Sequence, residues 1–572
     1  APPRGAELAY RFELSSPPGL VKVQIVCPGA ATGTTTLLLS EHWDGLRAIG
    51  REVRGLRAWG SDGRTLEVEH PRSHLWTVRH APGERLRVVY RLVSPARELN
   101  LESPVRHHHL PIVGRERFHL FGNLGLLIPE HLWTSEPIGI HVEWKGFGRA
   151  GWTVVSSHSV SQGGFLVHMN LEEFRHALFA AGRLKLIRRR VRGGEVVVSI
   201  QGEKWAFGAE YFANMADLVV ECERAFFDDH TDPFFLISLI PIGRAQSGLR
   251  AMSGTGLTGS FALFMAPGIR LQEREAALMV LHLLAHELFH HWNGATIVVD
   301  QPELLHYWFS EGFTNHYTRK LLLRGDLIDE KEFLRDLNEM LARYTLSPVR
   351  AAPNRRILEG FWRDPDLHDL PYLRGDVVAL LVDHRIRTRS GGRRSLDDLM
   401  RALLRRARRE RRAVDNQELF ALIASFTSPD FSERVRRVVV DGETVQLPPG
   451  SYAPCMRLVT EQLGPFDLGF DFAGSRVQRR VQGVRRGSRA FRAGLRDGQK
   501  LMGWSVANGK FFQAVEIVVR DRGGVKTIAY LPQGAPRPVP QFRLDRWAPG
   551  CRMLVKAEKD CTEQAHGITW RH

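Results

Sequence analysis

The chain has 572 residues, 43% hydrophobic and 25% charged, which excludes a disordered polypeptide and suggests roughly three or four domains at about 150 residues each. Its formal net charge is +16, mostly from arginine, with clusters at Arg188–Arg190 and between Arg401 and Arg412. These lack the aromatic interleaving or base-reading motif that nucleic-acid binding requires, so they read as solvated faces and no nucleic-acid partner is expected. No apolar run reaches the ~18 residues a bilayer span needs, so no transmembrane segment is expected.

Residues 1 to about 180 read as a β-sandwich-like domain. Apolar and polar residues alternate at Val21–Val26, Leu86–Leu92 and Gly151–Val155, between many Gly and Pro breaks. His107, His108 and His109 form a patch with no carboxylate or cysteine at ligand spacing, which reads as a polar loop. From 181 the pattern is mixed: a strand at Glu195–Ile200, a helix at Ala213–Phe227, and strands at Phe234–Ile242 and Gly259–Met265. An apolar helix follows at Ala277–Trp292, and helices dominate to about 427. Leu447-Pro448-Pro449-Gly450-Ser451, within Val445–Pro454, signals a linker. A small β-rich unit occupies 458–535, and a Pro-rich stretch opens the tail, 536–572. The expected fold class is thus multidomain α+β, with the second domain at 181–445. Cys551 and Cys561 are close enough in the tail to bridge. The chain starts at Ala1 without Met, which fits either removal of a signal peptide or trimming of the sequence; the first implies export, periplasmic or secreted.

The chemistry concentrates in His286-Glu287-Leu288-Phe289-His290. Two histidines four apart share one helical face and can hold one metal ion, while Glu287 points off that face and can act as general base on an activated water. Two His and one carboxylate favour a single Zn2+, which needs a third ligand and one open position. Glu311 is the candidate: twenty residues separate it from His290, and Trp308, Phe309 and Phe313 flank it, where a carboxylate benefits from a cation. Asn315, one turn on, is placed to support a ligand histidine from outside the ligand set. His282 and His291 read as structural.

His286–Asn293 (HELFHHWN) and Trp308–Tyr317 (WFSEGFTNHY) together resemble the glycyl aminopeptidase family of zinc peptidases. That resemblance implies an N-terminal β domain, a thermolysin-like catalytic domain with metal-bearing helices, and a C-terminal PDZ-like β domain. Leu370–Gly375 resembles the family's Tyr-Tyr-x-Lys-Gly segment, making Tyr372 the implied hydrogen-bond donor to the oxyanion. Pro371 and Arg374 depart from that pattern. Asp467-Leu468-Gly469-Phe470 resembles the PDZ carboxylate-binding loop, which implies a C-terminal peptide ligand held at Leu468, Gly469 and Phe470. Ala493-Gly494-Leu495 supports the unit, although Gln499 replaces its usual Asp. The family's Gly-Gly-Leu-Glu-His segment falls at Thr255–Gly259, so Gly256, Leu257 and Thr258 are the implied substrate-binding positions.

Thr258 stands where the family's glutamate holds the substrate's free α-amine, and a hydroxyl cannot replace that charge. The expected function is a zinc peptidase acting on peptides or proteins, an aminopeptidase by resemblance. Thr258 favours an endopeptidase instead. A non-catalytic peptide-binding scaffold is the reading from another class.

Overall fold

The computed structural model describes residues 5–43, 46–94, 107–202, 204–230, 233–242, 252–453, 455–506 and 509–544. The chain forms two compact units. One contains Ala1–Thr296 and Arg324–Leu327; the other contains Ile297–Leu323 and Ile328–Lys556.

In the first unit, strands β1 (Leu8–Leu14), β2 (Val21–Pro28), β3 (Arg85–Leu92) and β4 (Ile138–Lys145) lie in a seven-stranded sheet, in the order β4-β1-β2-β3. Alternation dictates their faces: Val21, Val23, Ile25 and Cys27 of β2 are buried, while the residues between them are half-exposed. A five-stranded sheet follows, built from β5 (Leu184–Val191), β6 (Gly194–Gln201), β7 (Phe234–Pro241), β8 (Met252–Leu257) and β9 (Ser260–Met265), in the order β5-β6-β7-β9-β8. Strands β6, β7 and β9 are parallel, with Val197 beside Leu236 and Leu236 beside Ser260. The unbroken run Phe-Phe-Leu-Ile-Ser-Leu-Ile suits β7, which is covered on both faces. Edge strand β8 pairs antiparallel with β9.

Val197, Leu236, Ile240 and Phe264 belong to the same continuous core as the N-terminal strands. Helices α1 (Ala209–Phe227) and α2 (Arg274–Phe289) meet through Phe227 and Phe289, whose ring centroids are 5.3 Å apart.

The histidine patch differs from its expected loop. His107–His109 is a short 3-10 helix, and His108 and His109 are buried among Phe121, Phe264 and Trp43. Aromatic contact, which sequence proximity cannot show, draws the rings inward. His119 joins this cluster, and burial beside His109 and Arg117 pushes its pKa down to about 3. Burial likewise pushes His158 down to about 4. Each folded value lies below the unfolded value of about 6.5, so the unfolded chain binds the extra proton. Stability is therefore expected to fall as pH drops from about 6.5 towards 4, by up to about 1.4 kcal/mol per pH unit for each histidine. Melting temperature against pH measures this, and His119→Gln should flatten the slope.

The second unit begins with helices α3 (Gly312–Arg324), α4 (Glu330–Leu346), α5 (Pro365–Ser390) and α6 (Leu396–Glu410). Asp329 and Glu332 form a capping box at α4. Strand β10 (Met456–Leu463), helix α7 (Phe472–Gln478) and strands β11 (Lys500–Ser505), β12 (Val515–Asp521), β13 (Gly524–Tyr530) and β14 (Arg537–Leu544) follow. β10 pairs with β14, and β11–β13 form a separate antiparallel sheet. Asn338 of α4 holds β14 by donating from Nδ2 to Phe542 O (2.8 Å) and accepting from Phe542 N (2.7 Å).

The expected linker is likewise not a free tether. Tyr452 is buried, with its ring 5.1 Å from Phe542 and 6.1 Å from Phe333, and Arg387 donates to Ser451 O at 2.7 Å. Cys27 and Cys222 are buried and outside any disulfide, whereas Cys455 is disulfide-bonded. The Cys551–Cys561 pair and the tail beyond 544 lie outside the described residues.

Candidate active site

Helix α2 ends at Phe289, earlier than the expected Trp292, with His290 as its C-cap still in helical geometry (φ −63°, ψ −17°). A π-helical turn, His291–Thr296, follows and is interrupted at Asn293 and Gly294. The four-residue spacing puts His286 and His290 on one face: their ring centroids are 4.7 Å apart, and their Nε2 atoms 3.1 Å. His290 Nδ1 lies 3.2 Å from Asn293 O, and a carbonyl only accepts, so Nδ1 carries the proton and Nε2 presents its lone pair. The turn that ends the helix thus also orients the imidazole.

Glu311 sits immediately before α3, after the short helix Tyr307–Ser310, with Trp308, Phe309 and Phe313 buried around it. One donor atom from each of His286, His290 and Glu311 lies within 4.8 Å of the others, close enough to share one ion. Among the described residues this is the one such group of His, Cys, Asp and Glu. Two imidazoles and a carboxylate, all half-buried, suit zinc. Asn315 is half-buried one turn beyond Glu311, and its backbone N–H donates to Glu311 O at 2.9 Å.

Glu287 faces strand β8. A Cβ added at Gly254 would lie 2.6 Å from Glu287 Cγ, and one at Gly256 would lie 3.1 Å from Glu287 O and 3.3 Å from His290 Cβ. Both positions therefore permit an approach that alanine would obstruct. Of the implied substrate residues, Gly256 and Leu257 end β8, with Leu257 buried, while Thr258 lies in the β8–β9 turn before Gly259 (φ +59°). The Gly254-x-Gly256 spacing was the available signal for Gly254, which the sequence reading left out.

Tyr372 lies in the second turn of α5. Its ring stacks on His368 (centroids 5.8 Å, 18° between planes) and meets Tyr307 edge-on at 6.4 Å. Three residues later, α5 crosses the start of α3 at two glycines: a Cβ on Gly375 would lie 1.8 Å from Trp308 O, and one on Gly312 2.3 Å from Gly375 Cα. Arg374 is buried and donates to Val439 O (3.2 Å), Arg350 O (3.0 Å) and Ala352 O, a three-carbonyl role that lysine's single nitrogen fills less readily. Burial lowers its pKa to about 10. Arg319 joins α3 to α5 through both oxygens of Asp376, at 2.7 and 2.9 Å.

At the C-terminal loop, Gly469 adopts φ +76°, and its N–H donates to Asp467 Oδ1 at 2.9 Å. Leu468 O accepts from the Tyr530 hydroxyl at 2.6 Å, and Phe470 is buried in the local core. Asp471 then caps α7, accepting from Gly474 N.

The fold is similar to that of an aminopeptidase N family protein from Idiomarina loihiensis: TM-score 0.68 at 16% identity, covering 95% of this chain and 99% of that one. An M1 zinc metallopeptidase from Deinococcus radiodurans is also similar, with TM-score 0.49 at 17% identity, covering 78% of this chain and 96% of that one. No curated protein sequence matches the chain. Through the segment bearing the two histidines, the chain is a peptidase. Residues 279–355, running from within α2 past Glu311, match the model of the M61 glycyl aminopeptidase family.

Proposed function

We propose that the chain is a zinc-dependent peptidase, with His286, His290 and Glu311 as the metal ligands. The observation that carries this reading is the convergence of one donor atom from each residue within 4.8 Å. Zinc held there supplies the Lewis acidity that lets a water ionise near neutrality and polarises a peptide carbonyl. Glu287 takes a proton from the attacking water and returns it to the departing amine. Tyr372 donates its phenolic hydrogen to the oxygen on which charge develops. Asn315 supports the ligand set. The edge of β8, at Gly256, Leu257 and Thr258, offers backbone groups to an extended peptide.

Aminopeptidase action is the primary reading, from the family match over 279–355. Endopeptidase action is the second, because Thr258 offers no charge to a free α-amine. Digesting matched peptides with free and acetylated N-termini separates them. Loss of cleavage on acetylation supports an aminopeptidase, while equal cleavage rejects it. Turnover that survives a chelator excludes the metal mechanism altogether.

The thermolysin-like character of the catalytic part and the PDZ-like character of the C-terminal part belong to the same proposal, as does division at about 180, 445 and 535. Export is supported by the Cys455 disulfide, a bond typical of oxidising compartments. No helix among the described residues is long and apolar enough to cross a membrane.

A further inference from the structure

The stretch Phe472–Lys500 carries nine cationic side chains against one carboxylate, Asp497, a surplus equal to half of the chain's formal +16. Eight of the nine are exposed. Among the described residues, only Arg485 of these nine has a carboxylate partner, Asp467. The backbone sets several abreast. Arg480 bridges to Lys500, Lys500 pairs with Arg520 of β12, and Arg520 pairs with Val525 of β13. Directly paired residues on neighbouring strands project to the same face about 5 Å apart, so three cations stand in one row. Like charges opposed in this way destabilise a sheet. Asp521, beside them, is engaged by Lys526 (2.7 Å) and Gln499 (2.9 Å). Arg476 and Arg479 of the adjoining helix and cap lie over Trp504, 5.3 and 5.7 Å from its ring.

The row calls for an anionic partner, and its apolar neighbours indicate which. Val525 ends the row at 56% exposure, and Val477, between Arg476 and Arg479, is 80% exposed. A dissolved polyanion gains nothing from bare valines, whereas a lipid interface takes up apolar side chains and cations together. We propose that this face of the C-terminal β unit docks peripherally on an anionic phospholipid surface. The phosphates neutralise Arg480, Lys500 and Arg520, and the valines enter the interface. This goes beyond the peptidase reading and does not depend on it.

The full chain should co-sediment with phosphatidylcholine vesicles containing phosphatidylglycerol and remain free of vesicles of phosphatidylcholine alone. Binding should be lost near 1 M salt, where the Debye length is about 3 Å. Combining Arg480→Gln, Lys500→Gln and Arg520→Gln should weaken partitioning about a hundredfold, at roughly fivefold per charge. The same variant should melt no lower than the parent, because it relieves opposed like charges. Failure of the parent to bind the anionic vesicles, or unchanged partitioning of the variant, overturns the proposal. Capture of polyglutamate or nucleic acid without vesicle binding overturns it in favour of a soluble acidic partner.

Discussion

Glu287→Gln is expected to lower peptide turnover about 10²–10⁴-fold, the usual contribution of general acid–base catalysis, while leaving metal content unchanged. The two halves of this expectation have separate structural grounds. Glutamine keeps the shape of glutamate, so the close approach of Gly254 and Gly256 to this side chain and its backbone survives. Its amide cannot accept the proton that a carboxylate takes. The side chain lies against β8 and is not among the three grouped donors, so the ligand set is untouched. His290→Ala should behave differently, losing metal and activity together. Elemental analysis beside initial rates distinguishes the two variants. Full activity in the Glu287→Gln enzyme would rule out Glu287 as the base.

Gly375→Ala is expected to destabilise the protein by more than the roughly 1–3 kcal/mol of an ordinary overpacked site. The new methyl would meet backbone, Trp308 O at 1.8 Å and Gly312 Cα at 2.7 Å, and no rotamer change relieves a contact with backbone. The crossing helices must separate. Tyr372 lies three residues before this point on one helix, and Glu311 one residue before Gly312 on the other. Displacement here therefore changes the spacing between the proposed oxyanion donor and the proposed third ligand. Urea unfolding should show the stability loss, and kcat should fall more than KM rises in the fraction that remains folded. A variant of parental stability would mean that the crossing tolerates a side chain.

These contacts mark the limit of what the sequence reveals. The H-E-x-x-H spacing and the aromatic setting of Glu311 are local patterns, and both led to residues that lie together. The apolar run of β7 and the alternation of β2 were similarly legible, because burial imposes periodicity. Gly375 and Gly312 are 63 positions apart in sequence, so neither announces that the other excludes a side chain. His108 and His109 are polar letters whose burial depends on Phe264, far along the chain. Helix α7, after Phe470, is nucleated by the Asp471 cap, a signal present in the sequence but masked by the loop motif preceding it.

Edge strand β8 has a consequence for the enzyme's own lifetime. If β8 receives substrate through backbone groups as proposed, it reads extension rather than identity, and an unfolding copy of the same chain offers long extended segments. On the peptidase reading with endopeptidase action, concentrated stocks warmed towards the melting transition should shorten by self-digestion. The loss should be second order in protein and arrested by a chelator, so that storage life depends on concentration as well as on temperature.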